Sequence, residues 1–226
     1  MPRCIDPDLS YCLIDGRPLF LDLAADRYFH LSDALECAFL AHLRGATASA
    51  SDTGRLRGRG LLPAVARDGA QPASTAIDAP RESAMEPMPH GKAVRAGAAL
   101  GAFSDISVVQ LQLRYRTLKD TLASMARYRA ARAHVQDSGL SHALQHRLCE
   151  ASAAFRIPRL YHPAATRCLP DSIALVRFLA RRGLFAHLVF GVVAAPLSAH
   201  CWVQVRHLVL NDTVGNACAH TPIRVV

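Results

Sequence analysis

The 226-residue sequence contains no run of 18 apolar residues, so it offers no membrane-spanning helix. Its opening residues, Met1-Pro2-Arg3-Cys4-Ile5-Asp6-Pro7, lack the apolar core of a secretory signal, and none is expected. Seven cysteines form neither a paired framework nor a C-x-x-C motif. They are expected as free thiols in a reducing, cytoplasmic setting. Zinc held by Cys201, Cys218, His200 and His220 is a minor alternative, because no C-x-x-C pair anchors it. No zinc-finger or RNP signature occurs either, so nucleic acid is not an expected partner. The net charge of +8 is almost all arginine and reads first as a solvated basic face. The alternative is an acidic partner, peptide or nucleic acid, of which the missing signatures disfavour the second.

About half of the residues are apolar, enough for a substantial core. Tyr11-Cys12-Leu13-Ile14 reads as a strand, Asp15-Gly16 as a hairpin turn, and Pro18–Leu23 as the returning strand. A second turn at Ala24-Ala25-Asp26 leads to a third strand, Arg27-Tyr28-Phe29-His30-Leu31. Ser32 or Asp33 then caps a helix with Leu35, Phe39, Leu40 and Leu43 on its buried side, stopped by Gly45. Leu56, Leu61, Leu62 and Val65 can complete the helices of this small α+β unit. Its open sheet edge could accept an extended peptide as an added strand.

From Asp68 to about Gly101 the chain is rich in Pro, Ala, Gly and Ser, which reads as a linker. The expected organisation is a domain over 1–67, a flexible linker over 68–102 and a second domain over 103–226. Ser104-Asp105 looks like an N-cap. Leu111, Tyr115, Leu118, Leu122 and Met125 then form one apolar helical stripe. A second helix after Ser138-Gly139 carries Leu144, Leu148 and Phe155 and should stop at Pro158. His142, His146 and Glu150 share a face of it, but Ala143 stands where a zinc-protease motif needs Glu, so no metal is assigned.

The chain is organised around Thr166-Arg167-Cys168-Leu169-Pro170-Asp171-Ser172. Pro170 suits the first turn of a helix, Leu169, Ile173, Val176 and Leu179 form its stripe, and Gly183 ends it. Cys168 therefore sits at a helix N-terminus, where the dipole and free N–H groups lower a thiol pKa and can hold an oxyanion. Phe185–Val193 reads as a buried strand. Ala199–Val205 is another, with His200, Trp202 and Gln204 on one face and Cys201 on the other. A turn near Arg206-His207 leads to Leu208–Asp212. A cysteine nucleophile needs an imidazole to take its proton and a carboxylate to orient that ring. Cys168, His200 and Asp212 are the candidates. A two-residue turn at Arg206-His207 pairs Val205 with Leu208 and would put Asp212 on the face of Cys201. The triad therefore requires a three-residue connection or a bulge, which brings Asp212 opposite His200.

Arg167-Cys168-Leu169, Ser172–Leu175, Arg182-Gly183, Leu188–Val192, Ala199–Gln204 and Leu210-Asn211-Asp212 together resemble the lasso peptide B proteins, the leader peptidases of lasso peptide biosynthesis. The resemblance covers about residues 140–226. Asp26–Leu31 resembles the RiPP recognition element of the same family, a PqqD-like winged helix-turn-helix. The implied fold class is α+β: that small domain, a helical segment, and a transglutaminase-like, papain-like cysteine peptidase domain. The resemblance implies Cys168 as nucleophile, His200 as base and Asp212 as orienting acid. It also implies a precursor leader lying beside Arg27, Tyr28, Phe29, His30 and Leu31, with contacts near Leu56 and Leu61. The implied partners are the precursor peptide and an asparagine-synthetase-like macrolactam synthetase that consumes ATP. The peptidase itself is expected to need no cofactor. At Ala219-His220 the sequence departs from the aromatic residue expected beside Thr221, a difference expected to affect packing at the chain end alone. A transglutaminase-type amidation and a non-catalytic peptide-binding adaptor are the alternative functions.

Overall fold

Asp15 and Gly16 both take positive φ, 51° and 79°, the conformation a two-residue hairpin turn demands. They join β1 (Leu9–Ile14) to β2 (Arg17–Asp22) with Ile14 paired to Arg17. A computed structural model describes residues 6–62, 77–86, 96–134, 139–163 and 167–226. Asp26, φ 49°, turns the chain again into β3 (Arg27–His30), an outer strand of the sheet β1-β2-β3. Two helices follow, α1 (Asp33–Leu43) and α2 (Ala50–Gly58). Tyr11, Phe20, Leu31, Leu35, Phe39, Leu56, Leu61 and Leu62 form the core between sheet and helices. Phe20 stacks on Phe29 at 5.2 Å and meets Phe39 edge-on at 5.1 Å, arrangements that add to simple burial. Val65 lies outside the described residues.

The chain divides into two units. The first holds the described residues before Ile77, with Thr221–Arg224; the second holds Ile77–His220 and Val225–Val226. Residues 77–86, which composition assigns to the linker, are built into the second unit. There β4 (Glu82–Ser83) lies parallel to β7 (Leu208–Val209). Backbone pairing explains this: a strand at a sheet edge needs few apolar side chains when its N–H and C=O groups are matched, and Ala84 N donates to Val209 O. The next helix, α3 (Ala96–Tyr115), also begins inside the expected linker.

The single apolar stripe through Leu111 and Met125 is in fact two helices. α4 (Leu118–Ala130) starts afresh at Thr117, whose Oγ1 accepts from Asp120 N at 3.1 Å and donates to the Asp120 carboxylate. This N-cap starts a new helix, and Leu111 and Tyr115 of α3 are left exposed. Asp105 is not a cap but a buried carboxylate in α3, 2.9 Å from Arg181 and 3.6 Å from Arg177. α5 (His142–Leu160) is capped by Ser141 and runs two residues past Pro158. The proline sits in the last turn, where its missing N–H removes a single helical bond.

At the centre of the second unit α6 (Cys168–Ala180) packs against α3, α4, α5 and two strands of a mixed sheet. Ile173, Ala174, Val176, Phe178 and Leu179 are fully buried. Within this unit the strand order is β4-β7-β6-β5, with β5 (His187–Val193) and β6 (Ser198–Val205). β5 and β6 are antiparallel, with Gly191 opposite His200. A short helix, α7 (Val214–Cys218), follows β7. Among the described residues no helix is long and apolar enough to cross a membrane.

Candidate active site

Cys168 is the first residue of α6 and is exposed. Arg167 precedes it in extended conformation, φ −142°. The start of the helix is held by Asp171, which accepts from Arg159 Nε at 2.7 Å and from Arg167 N at 3.3 Å. Ser172, fully buried, donates to the Cys201 carbonyl at 3.2 Å and accepts from Asn211 Nδ2 at 2.8 Å. One serine therefore ties the thiol-bearing helix to the strand that carries His200 and to the residue before Asp212.

His200, Trp202 and Gln204 do share one face of β6. The Trp202 indole N–H donates to Gln204 Oε1 at 2.7 Å, and the imidazole of His200 lies 6.1 Å from the Trp202 ring, nearly parallel to it. Gly191 makes room for this stack. A Cβ there would lie 2.6 Å from Trp202 Cζ3 and 2.8 Å from His220 Cβ, closer than packed atoms tolerate.

Asp212 reaches His200 by a route different from the expected one. The turn at Arg206-His207 has two residues and Val205 pairs with Leu208, the register thought to separate the pair. The strand ends at Val209, however, before that register can act on Asp212. Asn211 supplies its own side chain to the ladder, Oδ1 accepting from Val203 N at 2.7 Å. The backbone is thereby freed to bend, and Asp212 turns back. Its Oδ2 accepts from His200 Nε2 at 2.6 Å and its Oδ1 from Thr213 N at 2.8 Å. Ser83 Oγ fixes the same bend by donating to the Asp212 carbonyl at 2.6 Å.

With Nε2 engaged by Asp212, Nδ1 is the His200 nitrogen left for the thiol. The Cys168 pKa falls from 9.0 to about 4, through hydrogen bonds from Cys201 first and His200 second. That of His200 rises from 6.5 to about 9, chiefly through Asp212 and then Cys168. Burial pulls the Asp212 carboxyl up, but hydrogen bonds from His200, Thr213 and Asn216 outweigh it, and the net shift is downward. These directions describe a thiolate–imidazolium–carboxylate series at neutral pH.

Alternation along β6 is expected to turn Cys201 to the face opposite His200. It does face away, but onto the side where α6 begins. There its thiol and backbone N–H lower the Cys168 pKa, and its own pKa rises well above 9.0 through Cys168 and burial. His220 is likewise more than chain-end packing. Its ring lies 5.2 Å from that of His200, and its Nδ1 donates to Asn216 O at 2.8 Å. Asn216, absent from the sequence reading, donates to Asp212 Oδ2 at 2.8 Å. Its position four residues after Asp212 on a short helix was the available signal. Among the described residues no cluster of three or more His, Cys, Asp and Glu could hold a metal ion. On the α5 face, His146 pairs instead with Glu150 at 3.6 Å.

The other expected contact residues lie in the first unit. Arg27, Tyr28, Phe29 and His30 form the outer strand β3, with Arg27 exposed and 5.5 Å over the Phe29 ring. Leu31, Leu56 and Leu61 are 5%, 0% and 1% exposed. They belong to the core beneath the sheet.

The sequence model of the transglutaminase-like superfamily matches residues 106–225, more than half of the chain. Over 45 residues the chain is 49% identical to the microcin J25-processing protein McjB of Escherichia coli, a stretch covering 20% of this chain and 22% of that relative. No solved structure matches the chain.

Proposed function

The chain belongs to the transglutaminase-like superfamily, and from that premise we propose that it is the leader peptidase of lasso peptide maturation. The observation that carries the reading is the meeting of an activated thiol, an imidazole and a carboxylate at the N-terminus of a buried helix. Similarity to a protein named for processing a microcin supports a peptide as substrate.

In this reading the Cys168 thiolate attacks the carbonyl that ends the leader. N–H groups at the start of α6 receive the developing oxyanion. The His200 imidazolium gives its Nδ1 proton to the leaving amine, which departs as the free N-terminus of the core peptide. His200 then takes a proton from water, which hydrolyses the thioester, and Asp212 holds the ring and its tautomer throughout. The released amine suits a partner synthetase that closes a macrolactam with ATP; the peptidase uses no cofactor. The three-stranded, two-helix first unit serves as the PqqD-like recognition element. The leader adds as a strand beside β3, resting on a sheet whose core includes Leu31, Leu56 and Leu61. Precursor and synthetase are thus the proposed partners.

The same thioester could be consumed by an amine instead of water, the transglutaminase alternative. The test is Cys168→Ala against the unaltered chain with a lasso precursor peptide. Loss of cleavage with precursor binding unchanged supports the reading. Undiminished cleavage by the alanine variant refutes it, and an amine-adduct product would move the assignment to acyl transfer.

A further inference from the structure

Asp212 holds one of its oxygens by a main-chain donor and the other by a side chain that the peptidase reading does not use. Oδ1 accepts from Thr213 N, whereas Oδ2 accepts from both His200 Nε2 at 2.6 Å and Asn216 Nδ2 at 2.8 Å. The orientation of the Asn216 amide follows from these neighbours. Turned over, its carbonyl oxygen would face a carboxylate oxygen at the same distance, acceptor against acceptor.

The backbone of Asn216 is itself fixed. Its N–H donates to Thr213 Oγ1 at 3.2 Å, and its carbonyl accepts from His220 Nδ1 at 2.8 Å. The amide nitrogen lies 3.2 Å from His200 Nε2, so it occupies the notch between ring and carboxylate. Cys168, Asp212 and His220 are the other titratable groups around that ring. Asn216 is exposed, so water would satisfy its amide equally well, and the bond adds little to folding stability. Its effect is on orientation: without it, the ring is the one remaining partner of Oδ2 among the described residues, and the carboxylate can turn about its Oδ1 bond to Thr213 N.

We infer that Asn216 is a positioning residue of this site, acting through Asp212 to keep the carboxylate aimed at the His200 imidazolium. The inference rests on the proposed catalytic role of Cys168, His200 and Asp212. Partners that orient a working side chain typically contribute 10- to 100-fold to activity where measured, in metal sites. Asn216→Ala should therefore lower kcat for precursor cleavage by about tenfold with KM little changed. Asn216→Asp, of nearly the same shape but with no donor and an added charge, should lower it at least as far.

A titration of His200 by NMR in the full-length chain, with histidine labelled and the signal identified by its loss in His200→Ala, separates orientation from simple folding. The midpoint at about 9 should move down in Asn216→Ala while the thermal melting temperature stays. Wild-type kcat and an unmoved midpoint in both variants would overturn the inference, as would a kcat loss with an unmoved midpoint, which marks a merely structural role. The NMR arm needs no peptide. If the unaltered chain cuts no precursor yet the midpoint shifts in the variants, it is the peptidase reading that has failed and the positioning role of Asn216 that stands.

Discussion

Replacing Asp212 by Asn keeps the shape of the side chain and removes its charge. The bend that carries it is held by Ser83 Oγ and by the Asn211 side chain, neither of which needs the carboxylate, so the fold should persist. The His200–Asp212 pair lies mostly out of water, with side chains 23% and 13% exposed, so the lost charge is felt at near full strength. His200 stands at about 9 instead of 6.5. At 1.36 kcal/mol per pH unit that is about 3 kcal/mol of imidazolium stabilisation, with Asp212 the larger contributor and Cys168 the smaller. Assigning about 2 kcal/mol to Asp212, as for a hydrogen bond to a charged group, predicts a fall of roughly 30-fold in kcat. The amide can also favour the wrong ring tautomer, which takes the expected loss to about 100-fold or more. The assay is leader cleavage followed by mass spectrometry, with circular dichroism to check the fold. A folded Asn variant that cleaves at the wild-type rate would remove Asp212 from the mechanism and leave a Cys–His dyad.

Further consequences follow from the same contacts. Cleavage should be bell-shaped in pH, rising as pH passes up through about 4, where Cys168 loses its proton, and falling through about 9, where His200 loses its. These limits belong to the pair as a unit, and a profile with no acid limb below neutrality would contradict the thiolate assignment. Cys201→Ala should remain active, since Cys201 is not the nucleophile, but its acid limb should move up because the thiolate loses its largest hydrogen-bond donor; an inactive, folded Cys201→Ala would count against Cys168. Gly191→Ala should reduce activity and cost about 1–3 kcal/mol of stability by pushing Trp202 and His220 against His200, read by thermal melting and cleavage. A fragment of residues 1–76 should bind leader peptide, measured by fluorescence anisotropy, and equal binding by residues 77–226 would refute the division of labour.

Much of the site was legible because local chemistry carried it. Asp15-Gly16 dictates a hairpin, and Pro170 before an apolar stripe dictates a helix that presents Cys168 at its start. Alternation along β6 puts His200, Trp202 and Gln204 on one face. Other features were hidden because they depend on groups distant in the chain. Ser83 sits in a stretch whose composition resembles a linker, yet its worth lies in one hydroxyl aimed at the Asp212 carbonyl. Asp105 mimics a cap but is buried against Arg177 and Arg181 on another helix. The register argument for Asp212 failed because it extended the strand beyond Val209, where the Asn211 side chain replaces a backbone partner. The Thr117–Asp120 cap was readable in principle and was masked by the apolar spacing that runs across it.

The central claim is that Cys168 carries the leader as a thioester. Mixing the full-length chain with a lasso precursor, quenching in acid within the first turnover and mapping the digest by mass spectrometry tests it directly. The account predicts a mass increase on the Cys168 peptide equal to the leader's acyl group, transient in the unaltered chain and absent from Cys168→Ala. Leader cleavage that proceeds with Cys168 unmodified and equally fast in the alanine variant would contradict it.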